Sequence, residues 1–180
     1  MASKIKVDQL ETADGTGTIA LQNQLSGMTT ASLPALGAAQ MPTGSVLQVV
    51  QATSNTGITV TANTYVTIGS NVVITPSSAS SKVLVQLTAG SMAYNAGDIA
   101  MRITRNGTEI MVQGRQAYTN ASEWVGNPVK LMYLDSPNST SAVTYSFECK
   151  VSGNQIEFNS TGGSTSNVNG AVSIAMEIAG

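Results

Sequence analysis

The chain has 180 residues, of which only 10% are charged, and a formal net charge of −2. It contains no His and a single Cys, Cys149, which excludes His-based catalysis, an intrachain disulfide and thiolate metal clusters. With only 8 Lys and Arg there is no basic face, so we expect no nucleic-acid binding. No apolar run reaches the roughly 18 residues of a membrane helix, and the start of the chain lacks the apolar stretch of a signal peptide. We therefore expect no membrane insertion and no export by the secretory route.

Three zones follow one another along the chain. Residues 1–22 contain two short alternating pieces separated by a turn at Asp14-Gly15, which predicts a small β element. Residues 23–44 contain Pro34, Pro42 and many small residues, which favours a linker or stalk over a helix. Residues 45–180 are strand-like throughout and form the predicted head domain.

The head shows strong period-2 alternation. Ile99, Met101 and Ile103 alternate with polar residues, and the segment Val143–Val151 does the same. Val172, Ile174 and Met176 alternate with Ser173 and Glu177, so we expect the large apolar residues of that strand in the core. By the same pattern, Glu148 and Glu177 are expected on polar faces, as solvated or interfacial charges. Further strands are predicted near Ser45–Gln51, Gly57–Val60, Thr64–Ile68, Asn71–Thr75, Lys82–Thr88, Thr108–Gln113 and Asn127–Leu134.

The turn residues agree with a meandering chain of short strands. Asn106-Gly107 predicts a type I′ hairpin, because both central residues of that turn take positive φ. Ser152-Gly153-Asn154 is a second hairpin candidate. The sequence thus predicts an all-β protein whose head is an antiparallel, jelly-roll-like β-sandwich.

The sequence contains few of the residue patterns that form catalytic sites. No phosphate-binding loop, clustered calcium ligands or other cofactor or metal site is present in the pattern. Paired carboxylates can hydrolyse glycosides without His, and Asp98, Glu123 and Asp135 are the candidates because they fall in loop-like stretches. Arg102 is either an exposed charge or a partner for Glu109 or Glu123 of a neighbouring copy. Cys149 falls on an apolar face, which predicts a small buried side chain.

A specific resemblance appears in residues 4–19 (KIKVDQLETADGTGTI), 25–29 (LSGMT) and 42–51 (PTGSVLQVVQ). These segments resemble the N-terminal part of small virion fibre proteins of tailed bacteriophages, especially aquatic ones. The head, including the hairpin Ile103–Thr108, resembles the trimeric knob-type β-sandwiches of such proteins, which are similar to the jelly rolls of the C1q and tumour-necrosis-factor families.

The resemblance implies a homotrimer in the virion, on the tail or the capsid surface, that assembles in the host cytoplasm. It implies that residues 1–22 bind another virion protein, with Ile5, Val7, Leu10, Ile19 and Leu21 as the candidate anchor residues. Surplus apolar residues either line a three-fold interface or belong to an ordinary core: Met101, Met111, Met132 and Tyr133.

The head is then expected to bind a host-surface glycan or envelope protein. The candidate loops are Ser91–Asp98, Tyr118–Asn127 and Asn159–Asn169, which contain Tyr94, Tyr118 and Trp124 as aromatic residues able to stack on a sugar. Two other functions stay open. A capsid decoration protein would bind no receptor, and a small glycan depolymerase would use a close pair of the three acids, within one chain or across subunits. A bacterial carbohydrate-binding module is disfavoured by the missing signal peptide.

Overall fold

The computed structural model describes residues 37, 40–61, 63–120, 122–160 and 170–180. The regular elements in these ranges are strands, which form two antiparallel sheets, so the prediction of an all-β sandwich is confirmed. No helix in the described ranges has the length and hydropathy needed to cross a membrane. The strands are β1 Val46–Ser54, β2 Ile58–Val60, β3 Val66–Thr67, β4 Val72–Ile74, β5 Lys82–Tyr94, β6 Gly97–Arg105, β7 Thr108–Thr119, β8 Val125–Asp135, β9 Val143–Val151, β10 Gln155–Phe158 and β11 Ala171–Ile178.

The first sheet is built around β5, the longest strand, with 13 residues. β8 pairs with β5 along one edge, while β11 and β10 share the other edge. β1 extends the sheet beyond β11, and β2 extends it beyond β10. The second sheet has the order β3-β9-β6-β7, and β4 pairs with β9 on the same side as β3.

The core lies between the two sheets. The alternating apolar residues of β6 and β9 point into it, as their patterns predict, and meet the inward side chains of β5. Burying each large aliphatic side chain contributes roughly 1.5–3 kcal/mol. Cys149 is fully buried, which agrees with its predicted role, and burial raises the pKa of its thiol to about 12. The largest fully buried apolar side chains include Tyr145, Phe147, Phe158, Ile68, Ile74, Leu87 and Ile103.

The inward and outward faces of β11 are the reverse of those predicted. Its inward residues are small or polar, and its large apolar residues, among them Ile174 and Met176, point to the outer face of the first sheet and are half-buried. Ser173 and Glu177 are fully buried, so the prediction of a solvated or interfacial Glu177 is wrong.

Hydrogen bonds to the Glu177 carboxylate explain this orientation. The Gln48 side-chain amide donates to Oε2 over 2.6 Å, and the Ser77 backbone N–H and hydroxyl each donate to Oε1 over 2.7 Å. Burial alone would raise the pKa of Glu177, but these donors outweigh burial and hold the pKa below its usual value. A buried carboxylate with this many donors is stable as an anion.

The sandwich has two distinct ends. The proximal end is where the chain enters β1, and it contains the start of β5 and the ends of β6, β8 and β11. The distal end contains the end of β5 and the starts of β6 and β8. At the proximal end, Asn106 and Gly107 have φ values of 50° and 81°, which confirms the two-residue hairpin between β6 and β7. The second hairpin prediction is wrong, because β10 pairs with β5 and β2, and the turn 152–154 carries the chain from one sheet to the other.

An ion pair joins the two sheets at the proximal end. Arg105 Nη1, at the end of β6, lies 3.0 and 2.9 Å from the two carboxylate oxygens of Asp135, at the end of β8. The buried Tyr145 hydroxyl of β9 donates to Asp135 Oδ2 over 2.8 Å. Burial and this hydrogen bond both raise the pKa of Tyr145, so the hydroxyl stays protonated.

The Glu177 network predicts a specific acid sensitivity. Glu177→Gln replaces one acceptor by an amide donor that faces existing donors, so we expect a loss of about 1–3 kcal/mol of unfolding free energy at neutral pH. Because the folded-state pKa is lowered, the stabilisation is present above the ordinary value of 4.5 and is lost as the pH falls through the folded value. Urea unfolding at neutral pH and near pH ~3 measures both effects.

Glu109→Gln is the matched control, because Glu109 is exposed and its ion pair with Arg102 is long, at 3.3 Å. An exposed pair contributes at most about 1 kcal/mol. Equal losses for the two variants, or an unchanged acid dependence in Glu177→Gln, would contradict the role of the buried carboxylate.

Candidate functional site

Two hydrogen-bonded turns form the scaffold of the distal end. The Gly153 N–H donates to the Ala96 carbonyl over 2.7 Å, and the Asn154 N–H donates to the Asn95 carbonyl over 2.7 Å. These bonds join the β5–β6 turn to the β9–β10 connection and so hold the distal ends of both sheets together.

Glycine is required at this contact. An added Cβ at Gly153 would lie 2.4 Å from the carbonyl carbon of Ala96 and 2.5 Å from the carbonyl oxygen of Asn95. Gly97 has a positive φ of 62°, and an added Cβ there would lie 2.9 Å from the Ser152 hydroxyl. The two turns can approach this closely only because these side chains are absent.

The aromatic residues predicted to contact a receptor lie at this end. Tyr94 is the last residue of β5 and Trp124 directly precedes β8, and their ring centroids are 5.6 Å apart at an interplanar angle of 40°. They meet because Ala93 and Val125, the adjacent residues on the two strands, are register partners. This pairing places Tyr94 and Trp124 side by side on the outer face of the first sheet. Tyr118 lies in the second sheet, opposite Asp98, and is 62% exposed. Tyr94 and Tyr118 belong to strands, so the predicted loops begin later than expected.

Polar side chains lie beside the aromatic pair. Gln155 of β10 is the register partner of Tyr94, and its side-chain amide donates to Glu157 Oε1 over 3.1 Å. The Ser160 hydroxyl donates to Glu157 Oε2, and the Glu157 side chain is almost completely buried. Sequence reasoning did not select Gln155 or Glu157, because their position next to Tyr94 depends on the pairing of β10 with β5.

This arrangement brings aromatic and polar groups together at one surface. Aromatic rings present flat apolar faces with polar atoms at their edges, and they pack well against the apolar face of a sugar ring. The half-buried Gln155 amide can supply hydrogen-bond donors and acceptors for hydroxyl groups, and the buried Glu157 carboxylate holds that amide in place. The surface therefore combines stacking and hydrogen bonding within two neighbouring strands and the residue before a third.

One of the three candidate catalytic acids, Asp135, is far from the other two within one chain. Asp135 lies at the proximal end, bound to Arg105 and Tyr145, whereas Asp98 and Glu123 lie at the distal end. The 11 residues of β8 separate Asp135 from Glu123 by more than about 30 Å, far beyond the ~5–9.5 Å between glycosidase carboxylates. Among the described residues, no group of three or more metal-ligating side chains occurs.

Arg102 belongs to a charged cluster on the outer face of the second sheet. Its Nε donates to Glu148 over 2.6 Å, its Nη1 lies 3.3 Å from Glu109, and its guanidinium is 4.0 Å from the centre of the Tyr65 ring. The predicted pairing of Arg102 with Glu109 of a neighbouring copy is thus made within one chain. Lys150 lies over the same Tyr65 ring at 4.8 Å.

The candidate interface residues differ in their burial. Met101 is in the core, with 2% exposure, and Met111 and Tyr133 are half-buried against the core, so these three have an ordinary packing role. Met132 is 64% exposed on the outer face of the first sheet. The candidate anchor residues Ile5, Val7, Leu10, Ile19 and Leu21 lie outside the described residues, as does most of the predicted loop after Asn159.

The close turn contact predicts a local effect of Gly153→Ala. The new methyl group would collide with backbone atoms, so we expect a loss of about 1–3 kcal/mol and an opening of the distal turns. The chain has one Trp, so the emission of Trp124 reports directly on this end. Gly114→Ala is the control, because an added Cβ there has no atom within 4 Å. Unchanged stability and emission in Gly153→Ala would contradict a rigid distal scaffold.

The fold is similar to part of a chain in a structure of infectious bursal disease virus, Gx strain. The TM-score is 0.33 and the sequence identity 12%, over 76% of this chain and 34% of that chain. This chain thus matches about a third of the length of the viral chain, and a similarity at this level assigns neither family nor function. No family model and no curated protein sequence matches the chain.

Proposed function

We propose that the protein is a non-enzymatic structural component of a phage virion: a short trimeric fibre, anchored by its N-terminus, whose head attaches to the host surface. The observation that carries the proposal is the opposition of the two ends of the sandwich. The chain enters at the proximal end, and the aromatic pair Tyr94–Trp124 lies at the distal end.

Hydrogen bonds hold the entry point. The Gly44 N–H donates to the Ala179 carbonyl, and the Ala179 N–H donates to the Ser45 carbonyl, each over 2.8 Å. The residues that lead into β1 are therefore fixed next to the end of β11. A head held from this point presents its distal end away from the attachment, as a receptor-binding fibre requires.

We infer the binding partners of the two ends from this layout and from the resemblance of residues 4–51 to phage fibre proteins. Residues 1–22 would bind a tail or capsid protein of the particle, and assembly would take place in the host cytoplasm. The distal surface would bind a host-surface glycan, because its aromatic pair and adjoining amide suit a ligand rich in hydroxyl groups.

Binding to an array of bacterial surface polysaccharides tests the attachment function. We expect Trp124→Ala and Tyr94→Ala to weaken binding about tenfold or more, because each removes a central aromatic contact. Tyr118→Ala should have a smaller effect, since Tyr118 lies in the other sheet. Val73→Ala is the control, as Val73 is exposed in the second sheet, close to the proximal end.

The alternatives give different results in the same experiment. A fall in polysaccharide viscosity on adding pure protein would contradict the non-enzymatic proposal and favour a depolymerase. Absence of binding to every polysaccharide and to host envelope preparations would contradict attachment and favour capsid decoration.

A further inference from the structure

The outer face of the first sheet carries apolar side chains in rows that cross four strands. Val49, Met176, Leu84 and Leu134 form one row, because the register pairs Val49 with Met176, Met176 with Leu84, and Leu84 with Leu134. In the next row, Ile174 and Met132 alternate with Gln51 and Gln86. We name these two rows the proximal apolar face.

This face leaves large apolar groups in contact with solvent in the single chain. Val49 is 58% exposed, Leu134 50% and Met132 64%. With four strands about 4.8 Å apart and rows about 6.8 Å apart, the two rows cover roughly 260 Å². Apolar patches of a few hundred Å² on a single chain are often functional.

The outer face of the second sheet is different. The corresponding positions of β6 and β9 are occupied by Arg102, Glu148 and Lys150, and Glu109 of β7 joins them. Val73 and Val112 are exposed on that face as well, but its centre is charged, so continuous apolar rows are not a general feature of the sandwich.

We propose that the proximal apolar face is the surface through which copies of this chain associate. The inference rests on the proposed trimeric fibre and gives it a defined interface. In a closed three-fold ring, each copy turns the same face towards the axis, where its two neighbours cover it.

Three features favour a second copy as the occupant. The face is four strands wide, so a single extended segment would leave most of it uncovered. Its centre is uncharged, and the amides of Gln51 and Gln86 are both donors and acceptors, so identical copies can hydrogen-bond to one another. On the outer face of β1, β5, β8 and β11, the charged side chains within the described strands are Lys82 and Lys130, which flank the two rows at opposite ends and leave the centre uncharged.

Association through these rows leaves the candidate sugar-binding surface accessible. Tyr94 lies six residues beyond Thr88 on β5, a distance of about 20 Å along the strand. Between them, three of the four outer-face register positions on β5 and β8 hold Gly90, Pro128 and Gly126, and the fourth holds Met92. The interface is therefore proximal and the aromatic pair distal on the same sheet.

Light scattering of the full-length protein tests the inference. The wild type should have three times the mass of one chain. Leu134→Lys and Met132→Lys should shift it to the monomer, because each adds a charge to the buried centre of the interface. Val73→Lys is the matched control: Val73 is 49% exposed, close to the 50% of Leu134, but lies on the outer face of the second sheet. It should remain a trimer.

Each other result overturns the proposal in a recognisable way. A trimer that survives both lysine substitutions overturns this interface and leaves the fibre function standing, and dissociation of Val73→Lys as well shows that the effect is not specific. A monomeric wild type overturns the trimer and the interface together. If residues 1–36 of that monomer become more sensitive to protease in Leu134→Lys, the N-terminal segment is the occupant instead. Should Leu134→Lys fail to fold, Leu134→Gln provides the same test without a new charge.

Discussion

The hydrogen bonds to the buried carboxylate of Glu177 determine which face of β11 points into the sandwich. Gln48 of β1 and Ser77, in the connection between β4 and β5, supply donors to both carboxylate oxygens. Shifting β11 by one residue would place Met176 inside and expose Glu177, and the donors would lose their acceptor. The inward positions of β11 are therefore filled by small and polar residues, and the core volume comes from the strands opposite.

The outer face of the first sheet is a consequence of this choice. Once Glu177 points inward, strand alternation sends Met176 and Ile174 outward, where Val49 and Leu134 of the edge regions continue their rows. The second sheet places charged groups at the equivalent positions, with Arg102 bound to Glu148. The sandwich thus has one outer face with a charged centre and one outer face crossed by apolar rows.

Local features of this fold were predictable from the sequence, and long-range ones were not. Asn106-Gly107 and the alternation of β6 and β9 depend on neighbouring residues, and both are confirmed. Alternation gives the period of β11 but not which set of residues faces inward, because the deciding donors, Gln48 and Ser77, lie 129 and 100 residues from Glu177. The contact of Tyr94 with Trp124 likewise depends on the register of β5 and β8, which no local pattern specifies.

The two proposals reinforce each other through the direction of the strands. β5 runs from the proximal apolar face to the aromatic pair, so copies that associate side by side through the former present the latter at a common end. Their entry points, where Gly44 is bonded to Ala179, also lie at a common end. If the distal surface binds a glycan as proposed, three copies on one body would raise the overall affinity by effective concentration alone, without any new contact. In the proposed function, self-association would thus strengthen attachment through a surface that binds weakly as a single copy.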